Sequence, residues 1–326
     1  MTLRPVIATR LTPASEAAIA AAGAALRQGK LVAFPTETVY GLGANALDDL
    51  AIAAIFAAKE RPRFNPLIVH VHNQEEAEDI VRFTPLATKL ARAFWPGGLT
   101  LVLPRREPSP LALLVSAGLD TAAVRVTANP VARALVEAAG VPIAAPSANL
   151  SGRLSATTAA AVAEELEGRV EMILDGGPSP VGIESTIIGF EGTRAVLLRR
   201  GAIAREAIEE ISGPLHLPRY DHIQAPGMMA SHYAPRAKLR LNANDPRPGE
   251  ALLAFGSDAP EAAHSCNLSA SGDLREAAAN LFAMLRRLDK SGAASIAVMP
   301  IPDRGLGEAI NDRLARAAAP REDVVP

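Results

Sequence analysis

The sequence contains little cysteine and few aromatic residues. Its single cysteine, Cys266, excludes a disulfide within the chain and a cysteine-based metal cluster, and it favours a reducing compartment such as the cytoplasm. Aromatic residues make up only 4% of the chain. Because single-stranded nucleic acids are commonly bound by stacked aromatic side chains, this scarcity weighs against an RNA-binding function.

Long apolar runs and an excess of one charge are also missing. Residues 1–15 lack the apolar stretch of a signal peptide, and no run reaches the roughly 18 apolar residues of a membrane span. The net charge is −2, so no large basic surface is implied. We therefore expect a cytoplasmic protein that is neither exported nor bound to a membrane.

Several common catalytic motifs do not occur. The sequence has no GxxxxGK[ST], GxGxxG, HExxH or GxSxG motif, so phosphate-loop NTPases, dinucleotide-binding enzymes, zinc proteases and serine hydrolases lack support. The GLG of PTETVYGLGAN (35–45) is too short for a dinucleotide fingerprint. A nucleotide site in this chain must be built in another way.

The order of predicted elements divides the chain. Its 326 residues are enough for two domains. Short apolar strands alternate with helical segments over 1–212, which predicts an α/β domain. Residues 213–236 are rich in Pro, Gly, His and Tyr and predict an interdomain linker. A β-α-β-α pattern over 237–326 predicts a small parallel sheet.

Cations are concentrated where a predicted helix over 50–59 ends. Lys59, Arg61 and Arg63 repel one another on a turn that two prolines hold rigid, and Asn65 follows them. Arginine binds phosphate oxygens in a bidentate manner, so a polyanion such as a triphosphate is a natural partner. A solvated helix end with the same charges is the alternative, and the cluster alone does not decide between the two.

Two polar residues lie inside otherwise apolar predicted strands. Arg125 interrupts AAVRV, where an unpaired guanidinium is costly to bury, so it requires an anionic partner. That partner is either a carboxylate of the protein, such as Asp120, or a bound ligand. His70 interrupts LIVHV and is either a hydrogen-bonded core histidine or a ligand-binding residue.

Small polar residues lie at the ends of other predicted strands. Ser147 and Asn149 in PSANLSG offer polar groups beside backbone that a ligand can approach, although the same composition also describes a simple turn. Ser185 opens a later strand, and Arg199 closes another. Ligands of α/β sheets bind at strand ends, so we expect these groups to meet in one crevice.

Taken in order, six segments resemble one enzyme family. PTETVYGLG, KERPRFNPLIVH, PSANLSG, STIIGF, LLRRGAI and PGMMASHYAP resemble the YrdC-type threonylcarbamoyl-AMP synthases in their long, two-domain form. Each segment alone is weak, but the ordered set is specific and covers nearly the whole chain. The resemblance implies an N-terminal twisted, open mixed sheet with flanking helices and a C-terminal Rossmann-like α/β domain with a parallel sheet.

The resemblance also implies a reaction. The family condenses L-threonine, bicarbonate and ATP into L-threonylcarbamoyl-adenylate and releases pyrophosphate. Mg²⁺ would enter on the ATP phosphates, since no side-chain metal ligands can be identified. The adenylate is the donor for threonylcarbamoylation of the tRNA adenosine beside the anticodon. Downstream threonylcarbamoyl transferase proteins are therefore the expected partners, and stable tRNA binding is not required.

Residue roles follow from the matching segments. The residues that the resemblance assigns to ATP are Lys59, Arg61, Asn65, Thr121, Ser147, Asn149, Ser155, Arg199 and Tyr233, of which Lys59 and Arg61 are also the catalytic residues. The residues that it assigns to threonine are Thr36, His70, Arg125, Ala145 and Ser185. Arg125 would bind the threonine carboxylate, Tyr233 would close over the site, and Ala145 could contribute only its backbone. Arg63 receives no role.

Two other functions stay open at this point. An RNA-binding module could use the same cations for a phosphate backbone, and tRNA binding across salt concentrations would reveal it. A carbamoyl-phosphate-using transferase would work when bicarbonate is omitted and carbamoyl phosphate is added. Neither alternative explains the ordered set of six segments.

Overall fold

The computed structural model describes residues 7–218, 225–226 and 232–320, and its strands form two β-sheets. The strands of the first sheet are β1 (Arg10–Pro13), β2 (Val32–Phe34), β3 (Gly41–Asn45), β4 (Ile68–His70), β5 (Leu99–Pro104), β6 (Thr121–Arg125), β7 (Ile143–Ala144), β8 (Met172–Asp175), β9 (Thr186–Glu191) and β10 (Arg194–Arg199). The helices around it are α1 (Glu16–Arg27), α2 (Asp49–Lys59), α3 (Gln74–Ile80), α4 (Pro85–Phe94), α5 (Pro130–Ala139), α6 (Ala159–Leu166) and α7 (Arg205–Ser212). We refer to this part as the ten-stranded region.

The second sheet is smaller and entirely parallel. Its elements are β11 (Lys238–Arg240), β12 (Glu250–Ala254), β13 (Ser265–Asn267), α8 (Leu274–Asp289), β14 (Ser295–Val298) and α9 (Leu306–Ala318). The strand order β11-β14-β12-β13 confirms the predicted small parallel sheet. We refer to this part as the four-stranded region. No helix in the described ranges is both long and apolar enough to cross a membrane.

The ten-stranded sheet is mixed, as the family resemblance implied. Its order is β1-β8-β2-β3-β7-β4-β6-β5-β9-β10. Strands β4 and β6 are parallel, whereas β3 is antiparallel to both of its neighbours, β2 and β7. Helices on the sheet bury the central strands, which explains why these strands read as short apolar runs in the sequence.

One strand differs from the prediction. GLGAN forms β3, although its two glycines do not predict a strand. A side chain at Gly43 would lie 2.8 Å from the Phe34 ring and 2.9 Å from Ile143, so the absence of a side chain lets β3 pack between its neighbours. Because glycine is depleted in strands, its abundance here concealed the strand.

Helix α2 ends at Lys59, as predicted, and begins at Asp49, one residue before the predicted range. The Asp48 carboxylate accepts hydrogen bonds from the N–H groups of Leu50 and Ala51 at 2.9 and 3.1 Å, which caps the helix. The helix ends at Lys59, and Glu60 adopts a left-handed conformation with φ of 54°. The chain therefore turns sharply after Lys59, toward the next strand of the sheet.

The two faces of the first sheet are used differently. Leu42, Val69 and Val124 belong to the core on one face. Side chains alternate along a strand, so His70 and Arg125, which pair across β4 and β6, lie on the opposite face. Helices α1 and α5 cover the β2 end of that opposite face. The part around His70 and Arg125 contains a cavity.

The predicted linker, 213–236, is described only in part. Its residues 219–224 and 227–231 lie outside the described residues. Near its start, His216 pairs with β10, donating its N–H to the carbonyl of Ala195 and accepting from the N–H of Leu197. This part of the linker therefore extends the sheet edge. The division into 1–212, 213–236 and 237–326 stays a prediction.

Candidate active site

The cavity on the open face of the ten-stranded sheet has a volume of about 50 Å³. Its walls come from the β2–β3 connection, from β4, β6 and the ends of β7, β9 and β10, and from the described part of the linker. The residues that line it are Thr36, Thr38, Val39, Tyr40, Gly41, Arg61, Ile68, His70, Arg125, Ala145, Pro146, Ser147, Glu184, Ser185, Arg199, Pro226, His232 and Tyr233. Of the polar strand ends predicted to meet in one crevice, Ser147, Ser185 and Arg199 line this cavity, whereas Asn149 does not.

Arg125 is held by a carboxylate that the sequence analysis missed. Its Nη2 donates to Oε1 of Glu37 at 2.6 Å, its Nη1 to the Thr38 hydroxyl at 3.0 Å and its Nε to the carbonyl of Gly97 at 3.0 Å. The suggested partner Asp120 was wrong, because it precedes β6 and lies about 16 Å along that strand from Arg125. The only sequence signal for Glu37 was its place in the PTETVYGLG segment.

Glu37 is a largely buried carboxylate in contact with Arg125. Burial alone would raise the pKa of its carboxyl, but the Arg125 guanidinium and hydrogen bonds from Thr127 and Arg125 lower that pKa to about 2. The Thr127 hydroxyl donates to Oε2 at 2.5 Å. Glu37 therefore stays ionised at neutral pH and fixes the direction of the Arg125 fork.

His70 has an open nitrogen. Among the described residues its buried Nδ1 has no hydrogen-bond partner, so at this atom His70 does not fit the alternative of a fully hydrogen-bonded core histidine. Its ring meets the Phe34 ring edge-on at 6.1 Å. Burial, followed by the charge of Arg125, lowers the pKa of His70 to about 3, so the imidazole is neutral near pH 7.

The cationic turn after α2 is buried at two positions and exposed at one. Lys59 is 1% exposed, and its Nζ donates to the carbonyls of Ser147 and Asn149. Arg61 is 8% exposed and lines the cavity. The solvated-helix-end alternative is therefore wrong for Lys59 and Arg61, whereas Arg63 is exposed and fits it.

Burial acts on the charges of this turn. The pKa of Lys59 lies well below its usual value because the side chain is buried and because Arg61 is close by. Burial lowers the pKa of Arg61 to about 10. Both groups would gain from a polyanion, which would restore the favourable surroundings that water gives a cation.

The PSANLSG segment is both a turn and a wall of the cavity. Ser147 lines the cavity and forms a bridge with Gly41. The Asn149 amide donates to the carbonyls of Leu150 and Arg153 at 2.7 and 3.1 Å, which closes the turn. Its buried Oδ1 has no hydrogen-bond partner in the described ranges, and that atom is free to accept one.

Ser185 and Arg199 form the opposite wall. Arg199 Nη2 donates to the carbonyl of Ser185 at 2.9 Å and to its hydroxyl at 3.1 Å, while Nη1 donates to the carbonyl of Pro226 at 3.1 Å. The Ser185 and Thr100 hydroxyls lie 2.7 Å apart. A strand end and a linker residue thus meet at one guanidinium.

The described part of the linker lies over the cavity. Tyr233 is 2% exposed and has a φ of 61°, a conformation that non-glycine residues rarely adopt. The N–H of His232 donates to the carbonyl of Arg316, and the N–H of Ala234 donates to that of Gly152. Residues 232–234 therefore connect α9 to the PSANLSG turn across the site.

Not every residue that the resemblance assigned to the site lines the cavity. Lys59, Asn65, Asn149 and Ser155 are buried nearby, and the Ser155 hydroxyl donates to Glu184. The N–H of Ala145 donates to the carbonyl of Ile68, so the carbonyl of Ala145 is the backbone group left for a ligand.

Thr121 also lies outside the cavity. It starts β6 on the same face as Arg125, about 13 Å along the strand. Between them, Ala123 belongs to an apolar patch whose members are Ile68, Val102, Ala123, Ile187, Val196, Leu198 and Ala225. Thr121 and the cavity thus lie at opposite ends of this patch.

Fold and site together define an α/β protein with a buried, cation-lined cavity on one face of a mixed sheet. The family model described as "Telomere recombination" matches residues 24–201, and the model described as "Threonylcarbamoyl-AMP synthase, C-terminal domain" matches residues 203–319. This chain belongs to the threonylcarbamoyl-AMP synthase family, and the predicted resemblance is confirmed.

Individual relatives agree with this assignment. The threonylcarbamoyl-AMP synthase of Pyrococcus abyssi is 42% identical over 91% of this chain and 92% of its own, and that of Bacillus subtilis is 42% identical over 93% of each. The crystal structure of P. abyssi Sua5 complexed with L-threonine superposes with a TM-score of 0.87 at 40% identity, covering 96% of this chain and 97% of that one. The E. coli YciO structure shares the fold alone, with a TM-score of 0.52, 24% identity and coverage of 59% of this chain and 94% of its own.

Proposed function

We propose that this chain condenses L-threonine, bicarbonate and ATP into L-threonylcarbamoyl-adenylate, with release of pyrophosphate. The observation that carries the proposal is the cavity, which Arg61, Arg125 and Arg199 line together with a neutral histidine, His70. Such a site suits a substrate pair with a carboxylate and a polyphosphate. The RNA-binding alternative has no support in the comparisons, whose curated relatives are named as synthases.

Threonine would occupy the Arg125 side of the cavity. Arg125 keeps N–H groups beyond the three hydrogen bonds that hold it, and those can bind a carboxylate. The open Nδ1 of His70 and the free carbonyl of Ala145 can hold the substrate's polar groups. The hydroxyls of Thr36 and Ser185 line the same cavity. The P. abyssi relative was crystallised with L-threonine, which supports this assignment.

ATP would occupy the other side and extend along the sheet. Lys59, Arg61 and Arg199 would bind phosphate oxygens, and the open Oδ1 of Asn149 would accept a hydrogen bond. The apolar patch between Arg125 and Thr121 is buried and includes Ala225 of the linker, so it would receive the adenine ring once that linker residue moves away. An extended nucleotide would reach Thr121 along this patch, which would explain why that residue lies outside the cavity.

The chemistry needs positioning and charge neutralisation. The threonine amine adds to carbon dioxide derived from bicarbonate and loses a proton, and a carbamate oxygen then attacks the α-phosphorus as the bond to pyrophosphate breaks. The cations would stabilise the negative charge that develops on the phosphates. No side-chain nucleophile is required for this sequence of steps.

A magnesium ion is part of the proposal. It would be held by the phosphate oxygens of ATP and would neutralise part of their charge. Glu184, which lines the cavity, and Glu37, which lies behind Arg125, already accept hydrogen bonds from Arg313 and Arg125. They are therefore poorly placed to act as additional metal ligands while those arginines remain bound.

Entry of ATP requires the linker to move. A cavity of about 50 Å³ is smaller than the roughly 300–1,000 Å³ typical of sites that enclose a ligand of that size. Pro226, His232 and Tyr233 all line it. We include their displacement on ATP binding in the proposal, together with a cytoplasmic location and delivery of the labile adenylate to a tRNA threonylcarbamoyl transferase.

One assay tests the reaction directly. Purified protein with L-threonine, bicarbonate, ATP and Mg²⁺ should yield threonylcarbamoyl-adenylate by mass spectrometry and pyrophosphate in equal amount. Omitting bicarbonate should stop both products. Product formation from carbamoyl phosphate without bicarbonate would instead support a carbamoyl-phosphate-using transferase, and tight tRNA binding without either product would support an RNA-binding protein.

A further inference from the structure

A buried arginine of the four-stranded region contacts two residues that line the cavity. Arg313 of α9 is 1% exposed. Its Nε donates to Oε2 of Glu184 at 2.8 Å, its Nη2 to the carbonyl of Arg200 at 2.9 Å and its Nη1 to Asp312 at 2.6 Å. The centre of its guanidinium lies 5.1 Å from the centre of the Tyr233 ring. Two of these neighbours, Glu184 and Tyr233, line the cavity.

We propose that Arg313 is a positioning residue for the ATP half of the site: it neutralises Glu184 so that Arg199 stays available for phosphate, and it holds the Tyr233 ring over the cavity. The four-stranded region thereby supplies part of the active-site architecture. This inference rests on the proposed function, since it assigns a role in binding one of the proposed substrates.

The first argument is the charge balance at Glu184. This carboxylate is 5% exposed, and its two oxygens accept from the Ser155 hydroxyl and from Arg313. Burial alone would raise the pKa of Glu184, but the charges of Arg313 and Arg199 keep it below its usual value. Arg313 is the cation in direct contact, so its removal would leave a buried carboxylate beside the phosphate site.

The Glu184 carboxylate would then compete with ATP for Arg199. Arg199 is the last residue of β10. It donates to the carbonyl and hydroxyl of Ser185, the residue next to Glu184. Without Arg313, the attraction of Glu184 would fall on Arg199, and the same negative charge would repel ATP. Both effects weaken nucleotide binding more than binding of threonine on the Arg125 side.

The second argument is the packing of Tyr233. Its left-handed backbone is unfavourable for tyrosine, so surrounding contacts must stabilise it. The Phe282 ring of α8 lies 5.7 Å away, and Arg313 stacks on the ring as a cation. Both contacts come from the four-stranded region, and together they fix the position of the Tyr233 ring.

A second cluster between the two regions provides a matched control. Glu308 of α9 accepts from Arg205 at 2.8 Å and from Arg200 at 3.2 Å. Arg205 is 42% exposed and does not line the cavity. Arg205→Met therefore removes a charged contact between the same two regions without removing a partner of Glu184 or Tyr233.

The test compares Michaelis constants among variants of the full-length protein. Arg313→Met should raise KM for ATP about tenfold or more, with a smaller change for threonine. Arg205→Met should leave both constants within about twofold of wild type. The double variant Glu184→Gln/Arg313→Met should recover part of the ATP affinity, because the unbalanced carboxylate is gone. A wild-type KM for ATP in Arg313→Met, equal effects of the two arginine variants, or a double variant no better than the single one would overturn the inference.

Folding is monitored by thermal unfolding of each variant. If Arg313→Met does not fold, Arg313→Lys replaces it, since lysine keeps the charge but loses the planar fork. It should raise KM for ATP several-fold, and an unchanged constant would contradict the role. Synthesis of the adenylate by the wild type tests the proposed function separately, so a failure of the reaction and a failure of the Arg313 role are distinguishable.

Discussion

The ten-stranded and the four-stranded regions are both α/β structures, but their buried polar residues lie in different places. In the first, Lys59, Arg125 and Arg199 are buried around a cavity on the sheet face. In the second, the buried charged residues are Glu308 and Arg313, and both contact the first region. This difference separates a region whose buried charges lie around a cavity from a region whose buried charges contact the first one.

The apolar packing shows the same division. Val39, Leu154 and Ile183 of the ten-stranded region belong to the core of the four-stranded region, together with Leu281 and Phe282 of α8. The second core is therefore shared. A region whose core includes residues next to the active site can stabilise that site without supplying catalytic groups.

The largest loss of activity is expected when the ion pair of Arg125 at the cavity is broken. Breaking an ion pair in the four-stranded region should have little effect. Arg125→Ala should lower kcat/KM for threonine about 100-fold, mainly through KM, because it removes the proposed carboxylate ligand and leaves Glu37 unpaired. The control Arg240→Ala breaks a pair with Glu250 of similar length, 2.5 Å, and should change kcat/KM by no more than about twofold. Steady-state kinetics at varied threonine would measure kcat/KM for both variants. Equal losses would show that the cavity ion pair matters no more for activity than the one in the four-stranded region.

The next effect concerns acid stability. The pKa of Glu37 is about 2 in the folded protein against an ordinary value of 4.5, so its contribution to stability is complete above the ordinary value and is lost as the pH falls toward 2. This contribution is about 3 kcal/mol. Between about pH 5 and pH 2 the unfolded chain binds the proton that the folded chain excludes.

Urea unfolding across this pH range checks the prediction for Glu37. The free energy of unfolding should fall more steeply with acidification in the wild type than in Glu37→Gln, because the variant lacks the titrating carboxyl. Identical slopes in the two proteins would show that the pKa of Glu37 is not lowered in the folded protein.

A smaller effect is expected where the two regions touch. Gly182 has a φ of 72°, and an added side-chain carbon would lie 2.5 Å from the backbone of Ala278 and Ala279 in α8. Gly182→Ala should destabilise the protein by about 1–3 kcal/mol because helix α8 must shift. Gly292→Ala is the control, since Gly292 also has a positive φ, 81°, but has no atoms within 4 Å of the added carbon. Thermal unfolding should show the larger loss for Gly182→Ala, and equal losses would mean that backbone strain alone matters.

The smallest effect is expected for an exposed ion pair across the same boundary. Lys290 and Glu164 lie 2.5 Å apart but are 59% and 41% exposed. Lys290→Ala should therefore change the free energy of unfolding by less than about 0.5 kcal/mol. Arg286→Met should cost more, because the Arg286–Glu165 pair is largely buried. Urea titrations of the two variants would rank them, and the reverse order would contradict this account of the boundary.

Some parts of the site could be predicted because their signals are local. The helix that ends at Lys59 and the strands that carry His70 and Arg125 follow from apolar periodicity and capping. A charged residue inside an apolar strand also predicts a partner of opposite charge. The sequence could not say which partner, because Glu37 and Arg125 are 88 residues apart and meet only through the sheet.

Other parts were hidden because their signals are nonlocal. The glycines of strand β3 favour a loop, and only the structure shows that the Phe34 ring packs against them. Arg313 lies on an amphipathic helix, where an arginine usually reads as a solvated residue. Its burial depends on Glu184, which lies 129 residues earlier.

The sequence by itself determined the family, the alternation of strands and helices, and the cationic turn after α2, because each of these depends on residue order within a short stretch. The tertiary structure alone decided which charges are buried, that Glu37 holds Arg125, and that α9 of the four-stranded region contacts residues that line the cavity. The physical reason is that burial and charge pairing are properties of surroundings, and these surroundings are assembled from segments far apart in the chain.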